Sequence, residues 1–274
     1  TGNLKVINTL SKEQQMERTT GLFISNDSLS SYVYKSISKD RRVLCFSFEE
    51  IPFVKSQVFE FGDICGIASM LKKENVKQVA IIGRISPSKL FSQDIHWSGK
   101  FLLEKETQWQ NENLMLKTTC WFEQQGIRLL PLTELLKEII AVKKVYTKKK
   151  PDKQQTKDIT TGISLLKSLI PFRTGQSAVV KKAMVIAVEG IEGTDAMIKR
   201  AGEYCKDFIV IKMAGSNKDE RFDLPTVGPT TIETMSETGG KVLAIEAGKT
   251  ILFEKEKTVA LCEKNNIVLI GIKG

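Results

Sequence analysis

"TGLFISNDSLSSYVYKSISKDRRVLCFSF", residues 20–48, decides the fold. Its first and last segments, "TGLFIS" and "RRVLCFSF", are short apolar runs that predict buried strands, and "NDSLSSYVYKSI" between them predicts a capped helix. A helix carried between two strands is the connection that parallel strands need, since a tight turn joins only antiparallel ones. The alternation continues downstream. "DICGIASMLKKENV" has helical spacing at Ile64, Ile67, Ala68 and Leu71, and "KQVAIIG" predicts a strand ending at Gly83. A polar helical region over 105–125, the strand "GIRLLPL" and the helix "TELLKEIIA" follow. Repeated βαβ units predict an α/β fold with a parallel sheet, so residues 21–142 are expected to form a Rossmann-like N-terminal domain behind a loose extension, residues 1–20.

Residues 143–157, "KKVYTKKKPDKQQTK", are polar, Lys-rich and contain Pro151, which predicts a linker. Residues 158–274 read as a second α/β domain. It is expected to begin with a helix over 158–169, followed by "GQSAVVKKAMVIAVE" as one long or bent strand and "EGTDAMIKRAGEY" as a helix. "DFIVIKMA" is a strand, "TTIETMSETGG" a helix closed by Gly239 and Gly240, and "KVLAIEAGKTILFE" a hairpin turning at Ala247 and Gly248. The helix "KTVALCEKNN" and the strand "IVLIGI" complete it, and the hairpin makes the expected sheet mixed. No repeat of 20–50 residues is present.

Composition narrows the chemistry. Hydrophobic residues at 41% and charged residues at 27% are ordinary for a globular chain. No apolar run reaches the roughly 18–20 residues that span a bilayer, and no secretory signal pattern is visible, so a soluble cytoplasmic protein is expected. Five scattered cysteines without a CxxC pair fit reduced thiols better than disulfides or a zinc site. The single His96 excludes any mechanism built on two imidazoles, which leaves carboxylates, Lys and Arg to carry acid, base and metal chemistry. The net charge of +9 would suit nucleic acid, an anionic phosphate substrate or an anionic membrane surface. Only eight of the 41 basic residues are Arg and no aromatic-interleaved basic motif of the kind that stacks bases is present, so nucleic acid is not the expected partner.

Three acidic loops of the second half stand at strand ends or ahead of helices, where α/β folds collect ligands and unpaired amides favour phosphate. "VEGIEGTDAM" carries Glu189, Glu192 and Asp195; "KDERFDLPTVG" carries Asp219, Glu220, Arg221 and Asp223; "IEAGKT" carries Glu246. If they converge, their carboxylates would share a pocket with Lys212, Arg221 and Arg200, a set suited to a hard cation such as Mg²⁺ holding a pyrophosphate. The competing reading is structural, since acidic residues ahead of helices often cap them and complement the dipole. In the first half, "AIIGRISPSK" places Gly83 and Arg84 at a strand end, where ligand contact competes with a simple turn. The loop after the first strand lacks the GxGxxG spacing, so NAD or FAD is not expected there.

The motifs "TGQSAVV", "AVEGIEGTDAMIKRAG", "RFDLPTVGPTTIE" and "AIEAGKTILFE", in that order, resemble the LpxI family, the UDP-2,3-diacylglucosamine diphosphatases of lipid A biosynthesis. The resemblance runs through residues 158–274; "VAIIGRISPSKLF" and "FEQQGIRLLP" extend it more weakly into the first half. It implies Mg²⁺-dependent hydrolysis of the pyrophosphate of UDP-2,3-diacylglucosamine to UMP and 2,3-diacylglucosamine 1-phosphate (lipid X). It also implies two domains, a homodimer and work close to the cytoplasmic face of an anionic inner membrane. Carried over by position, it makes Asp223, Asp195 and Arg221 the catalytic candidates and Asp223 and Asp219 the metal candidates. Gly83, Arg84, Gln176, Glu189, Glu192, Gly193, Thr194, Lys212, Thr226, Gly228 and Glu246 become the substrate contacts. Where the family carries a Gly-rich loop after its first strand, this chain has Ser25, Asn26, Asp27 and Ser28. The alternative class is a binding protein for a lipid-linked nucleotide or nucleic acid, without turnover.

Overall fold

A computed structural model describes residues 19–83, 98, 111–169, 172, 174–214, 221 and 224–274. The chain divides into two compact units, Thr1–Leu135 and Leu136–Gly274.

In the first unit, the opening stretch forms strand β1 (Thr20–Phe23), helix α1 (Ser28–Ile37) and strand β2 (Val43–Ser47). Strand β3 (Gln57–Val58), helix α2 (Ile64–Lys73), strand β4 (Gln78–Ile81), helix α3 (Asn111–Gln124), strand β5 (Arg128–Leu129) and the short helix α4 (Leu132–Leu135) follow. The expected longer helix over "TELLKEIIA" is broken: α4 gives way to a 3-10 turn at Lys137–Ile139. The sheet is parallel, with strand order β3-β2-β1-β4-β5. That is the Rossmann-like arrangement the alternation predicted, with its topological switch between β1 and β4. Leu71, Ile67 and Ala68 of α2 pack with Phe23, Phe46, Val79, Phe122 and Ile127 in one core.

The second unit contains helix α5 (Lys153–Leu169), strands β6 (Ser177–Lys181) and β7 (Met184–Val188), helix α6 (Thr194–Tyr204) and strand β8 (Phe208–Lys212). It continues with β9 (Thr226–Val227), α7 (Pro229–Thr238), β10 (Gly240–Glu246), β11 (Ile251–Leu252), α8 (Lys255–Lys264) and β12 (Val268–Ile272). Its main sheet runs β12-β10-β8-β6-β7. Strands β8, β10 and β12 are parallel, and β6 is antiparallel to both β7 and β8. Alternate residues of each strand serve opposite cores: Phe208, Val210, Leu243 and Ile245 pack with Met197, Ile198, Ile232 and Met235 of α6 and α7. Ile209, Ile211, Val242 and Ala244 pack with Ile159 and Leu166 of α5. Burial on both faces explains why these strands read as continuous apolar runs.

Three sequence expectations change here. "GQSAVVKKAMVIAVE" is two strands, not one; the chain reverses at Lys182 and Ala183, whose φ angles are 49° and 61°. The reversal is held from outside: the buried Asp158 carboxylate accepts Lys182 N at 2.8 Å, Ala183 N at 2.7 Å and Gln154 Nε2 at 2.9 Å. "KVLAIEAGKTILFE" is no hairpin, because β10 is already paired on both sides by β8 and β12. Strand β11 instead pairs in parallel with β9, so the antiparallel pairs of the mixed sheet are β6–β7 and β6–β8. The first helix starts at Lys153, five residues before the expected 158, because Asp152 and Gln155 form a reciprocal cap: Asp152 Oδ1 accepts Gln155 N at 2.7 Å and Gln155 Oε1 accepts Asp152 N at 2.9 Å.

The stretch expected as a linker lies partly on this unit. Val145 bridges Ile270, Tyr146 N donates to Leu269 O at 2.9 Å, and Leu269 N donates to Thr147 Oγ1 at 3.2 Å. The Tyr146 side chain packs on the core, and burial raises its phenol pKa above the ordinary value. Its apolar residues thus find a sheet edge while the lysines stay outside.

Candidate active site

The register of the second sheet builds one end of it into a polar cluster. Because β6 runs against β8, its first residue Ser177 lies opposite Lys212, the last residue of β8. Because β7 runs against β6, its last residue Val188 lies opposite Ala178 and delivers Glu189 to the same end. Lys212 is also opposite Ile245 of β10, so Glu246 follows on the next strand. Gln176, Glu189, Lys212 and Glu246, far apart in sequence, thereby collect at one edge.

Hydrogen bonds knit this edge to the first turn of α6. The Glu189 carboxylate accepts Gln176 N at 2.9 Å through Oε2 and Thr194 Oγ1–H at 2.9 Å through Oε1. Lys212 Nζ donates to Thr194 Oγ1 at 2.7 Å, and Ser177 Oγ lies 3.3 Å from the same hydroxyl. Lys212 is 7% exposed and Ser177 is fully buried, so the ammonium has lost most of its water and depends on such partners. Gly175 makes the approach possible: a Cβ there would run into the Glu189 side chain and stand 2.7 Å from its carbonyl oxygen.

Glu246 is 6% exposed; its Oε2 accepts Ala214 N at 2.8 Å, and Lys249 Nζ lies 3.5 Å from Oε1. It therefore anchors the backbone where β8 leaves the sheet toward the acidic loop. Glu192 is engaged by Arg200, whose Nη2 lies 2.6 Å from Oε1 and 3.0 Å from Val188 O, while Oε2 accepts Gly190 N at 2.9 Å. The hydrogen bond from Arg200 lowers the Glu192 pKa.

Gly193, with φ 83°, is the N-cap residue of α6 and Gly228 that of α7, which has Pro229 in its first turn; neither glycine supplies a side-chain cap. First-turn amides of this kind suit an anion. Asp195 sits in the first turn of α6, and its buried Oδ1 has no hydrogen-bond partner among the described residues. Thr226 belongs to β9, and Arg221 is half-buried. Among the described residues, no group of three metal-ligating side chains forms. Asp219, Asp223 and Arg84, central to the expected site, lie outside the described residues.

In the first unit, Gly83 follows β4 at the switch point, with φ 128° and pressed against Ser25, where a Cβ would not fit. Across from it, Asp27 caps α1: Oδ1 accepts Ser30 N at 2.7 Å, and Oδ2 accepts the Ser30 hydroxyl at 3.1 Å and the Ser25 hydroxyl. Glu49 Oε1 accepts Asn26 N at 3.2 Å. The helix end that carries a phosphate in dinucleotide-binding folds is here filled by the chain's own carboxylate. Sequence reasoning passed over Ser177; its only signal was its place beside Gln176, and its relation to Lys212 exists only in the strand register.

Two family models match in chain order. Residues 28–139 match the LpxI N-terminal domain and residues 142–270 the LpxI C-terminal domain. The chain belongs to the LpxI family. It is similar to the UDP-2,3-diacylglucosamine pyrophosphatase LpxI of Caulobacter vibrioides, with 26% identity over 171 residues, or 59% of this chain and 61% of that relative. The two LpxI domains correspond to the Rossmann-like and mixed-sheet units described above, and the polar edge with Gln176, Glu189, Thr194, Lys212 and Glu246 lies within the C-terminal one. Among the described residues, no helix is long and apolar enough to cross a membrane.

Proposed function

We propose that this LpxI-family chain hydrolyses the pyrophosphate of UDP-2,3-diacylglucosamine, releasing UMP and 2,3-diacylglucosamine 1-phosphate for lipid A biosynthesis. The observation that carries this reading is the ordered match of both LpxI domains over nearly the whole chain. The polar edge of the C-terminal unit has the chemistry the reaction asks for. Lys212 supplies a desolvated positive charge toward the pyrophosphate, and the uncapped N-termini of α6 and α7 supply amides to its oxygens. Arg221 balances charge as the phosphorus is attacked, and Asp223 orients the attacking water. In the N-terminal unit, Asp27 fills the first helix end, and Gly83 and Arg84 stay in the proposal only as substrate contacts carried over from the family motif.

Mg²⁺ is part of this proposal. Asp195, whose buried oxygen has no partner among the described residues, fits a share in holding it, and Asp223 and Asp219 would supply the other carboxylates. When bound, the ion would neutralise pyrophosphate charge and acidify water. Glu189 and Glu246 fit this role less well, since their carboxylates already accept backbone amides. A homodimer and an anionic membrane surface, which would deliver a lipid-linked substrate to a cytoplasmic enzyme, complete the reading.

The test is UMP release from UDP-2,3-diacylglucosamine by the full chain with Mg²⁺, with chelator, and with Asp223→Ala. Turnover lost in both altered conditions supports the proposal. A folded wild-type chain without turnover overturns it and turns attention to a binder; affinity for nucleic acid falling steeply with salt would then favour the nucleic-acid alternative.

A further inference from the structure

We infer that Glu189 acts in the proposed hydrolysis as a positioning residue, through Thr194 and onto Lys212, and does not touch the substrate. The inference rests on the reading above for its reaction, and on geometry for its route. An ammonium only donates and a carboxylate only accepts, so a hydroxyl between them must accept from the first and donate to the second. Thr194 stands in that position, 2.7 Å from Lys212 Nζ and 2.9 Å from Glu189 Oε1. Its single proton is therefore committed to Glu189, and its lone pairs are turned to Lys212 and to Ser177, which donates across 3.3 Å.

Glu189 is held too firmly to swing toward a ligand. Its Oε2 accepts Gln176 N at 2.9 Å, its own amide donates to Ser177 O at 2.9 Å, and its carbonyl accepts Gly175 N at 2.9 Å. Four elements thus meet in one directed chain: the start of β6, the end of β7, the first turn of α6 and the end of β8. Its effect is to fix the direction of one N–H of the buried Lys212 ammonium. Among the described residues, Glu192, Glu246 on β10 and Asp195 on α6 are further carboxylates near this end of the sheet, and none is linked to Thr194 by these bonds.

The test compares Thr194→Val, Thr194→Ser, Glu189→Gln and the Val/Gln double variant in the full chain. The first readout is kcat and KM with UDP-2,3-diacylglucosamine. The second, independent of turnover, is the rate at which a small amine-acylating reagent modifies Lys212, followed by peptide mass spectrometry. Thr194→Val and Glu189→Gln are each expected to lower kcat/KM about ten- to a hundred-fold, with the double variant no worse than about three-fold below the weaker single one. Thr194→Ser, which keeps the hydroxyl, is expected to recover most of what Val loses. Lys212 modification is expected to quicken about five-fold or more in the Val and Gln variants and to stay slow in Ser, because only the relay differs among them. Equal damage by Ser and Val, fully additive losses, or unchanged Lys212 modification in both Val and Gln would each overturn the relay. A wild-type chain without turnover whose Lys212 still follows the expected modification pattern would remove the hydrolase reading and leave the relay standing.

Discussion

Replacing Asp158 by Ala is expected to destabilise the C-terminal unit by about 2–4 kcal/mol, through the β6–β7 turn and not through any ligand. Asp158 is 4% exposed, and its carboxylate accepts three hydrogen bonds: two from the turn amides of Lys182 and Ala183 and one from Gln154. A hydrogen bond to a charged group contributes roughly 1.5–3 kcal/mol in favourable cases, which would sum well above the stated range. Lys182 and Ala183 are exposed, however, so water replaces part of what their amides lose. Against that, both are non-glycine residues at positive φ, a conformation disfavoured by roughly 1–2 kcal/mol per residue, and Asp158 is what holds them there. Asp158→Asn keeps one acceptor oxygen and should cost about half as much. Ala183→Gly, which removes the steric conflict, should recover part of the loss in the Asp158→Ala background.

The assay is urea unfolding of the full chain, with amide hydrogen exchange read separately over residues 177–188. Exchange should quicken first at the turn and at the end of β7, and the polar edge should loosen with it, since Glu189 follows β7 directly. A loss under about 0.5 kcal/mol, with unchanged exchange over the hairpin, would refute the view that Asp158 holds this reversal.

Other expectations follow from the same geometry. Gly175→Ala should impair turnover more than folding, because its Cβ would displace Glu189; steady-state kinetics beside thermal melting separates the two. Glu246→Ala should free Ala214 N and loosen the chain leaving β8, read as faster exchange at residues 213–214 and a raised KM. Glu192 has its pKa lowered by Arg200, so the pair's contribution to stability is present above the ordinary carboxyl value of 4.5 and is lost as pH falls through the lowered one. The stability difference between wild type and Glu192→Gln should therefore appear at neutral pH and vanish in strong acid. Burial pushes the Cys45 thiol up to about 11 and the Cys262 thiol up to about 12, whereas Cys65 and Cys120 are exposed. Iodoacetamide at pH 8 should label the exposed pair and spare the buried pair until the chain unfolds.

The sequence by itself determined the alternation of elements and the α/β class. Strand and helix periodicity is written into neighbouring residues: Ile64, Ile67, Ala68 and Leu71 make one helical face, and "DFIVIKMA" needs burial on both sides wherever it pairs. The carboxylates of "KDERFDLPTVG" lie outside the described residues; the acidic stretch from Glu189 to Asp195 was legible in its local sequence, as were the family motifs. Pairing was not, because it depends on which strand edges remain free and on register. "GQSAVVKKAMVIAVE" carries no glycine or asparagine at its reversal, and the residue that permits the turn is Asp158, on another element. As one extended strand it would hold Gln176 and Glu189 roughly 40 Å apart at about 3.3 Å per residue. Folded back, Gln176 N lies 2.9 Å from the Glu189 carboxylate. The end of β10 was misread for a related reason: both its edges are taken, so the chain beyond Glu246 could not return along it. Local chemistry chose the elements; competition for strand edges, settled only in the folded sheet, decided that Gln176, Glu189, Thr194 and Lys212 would meet.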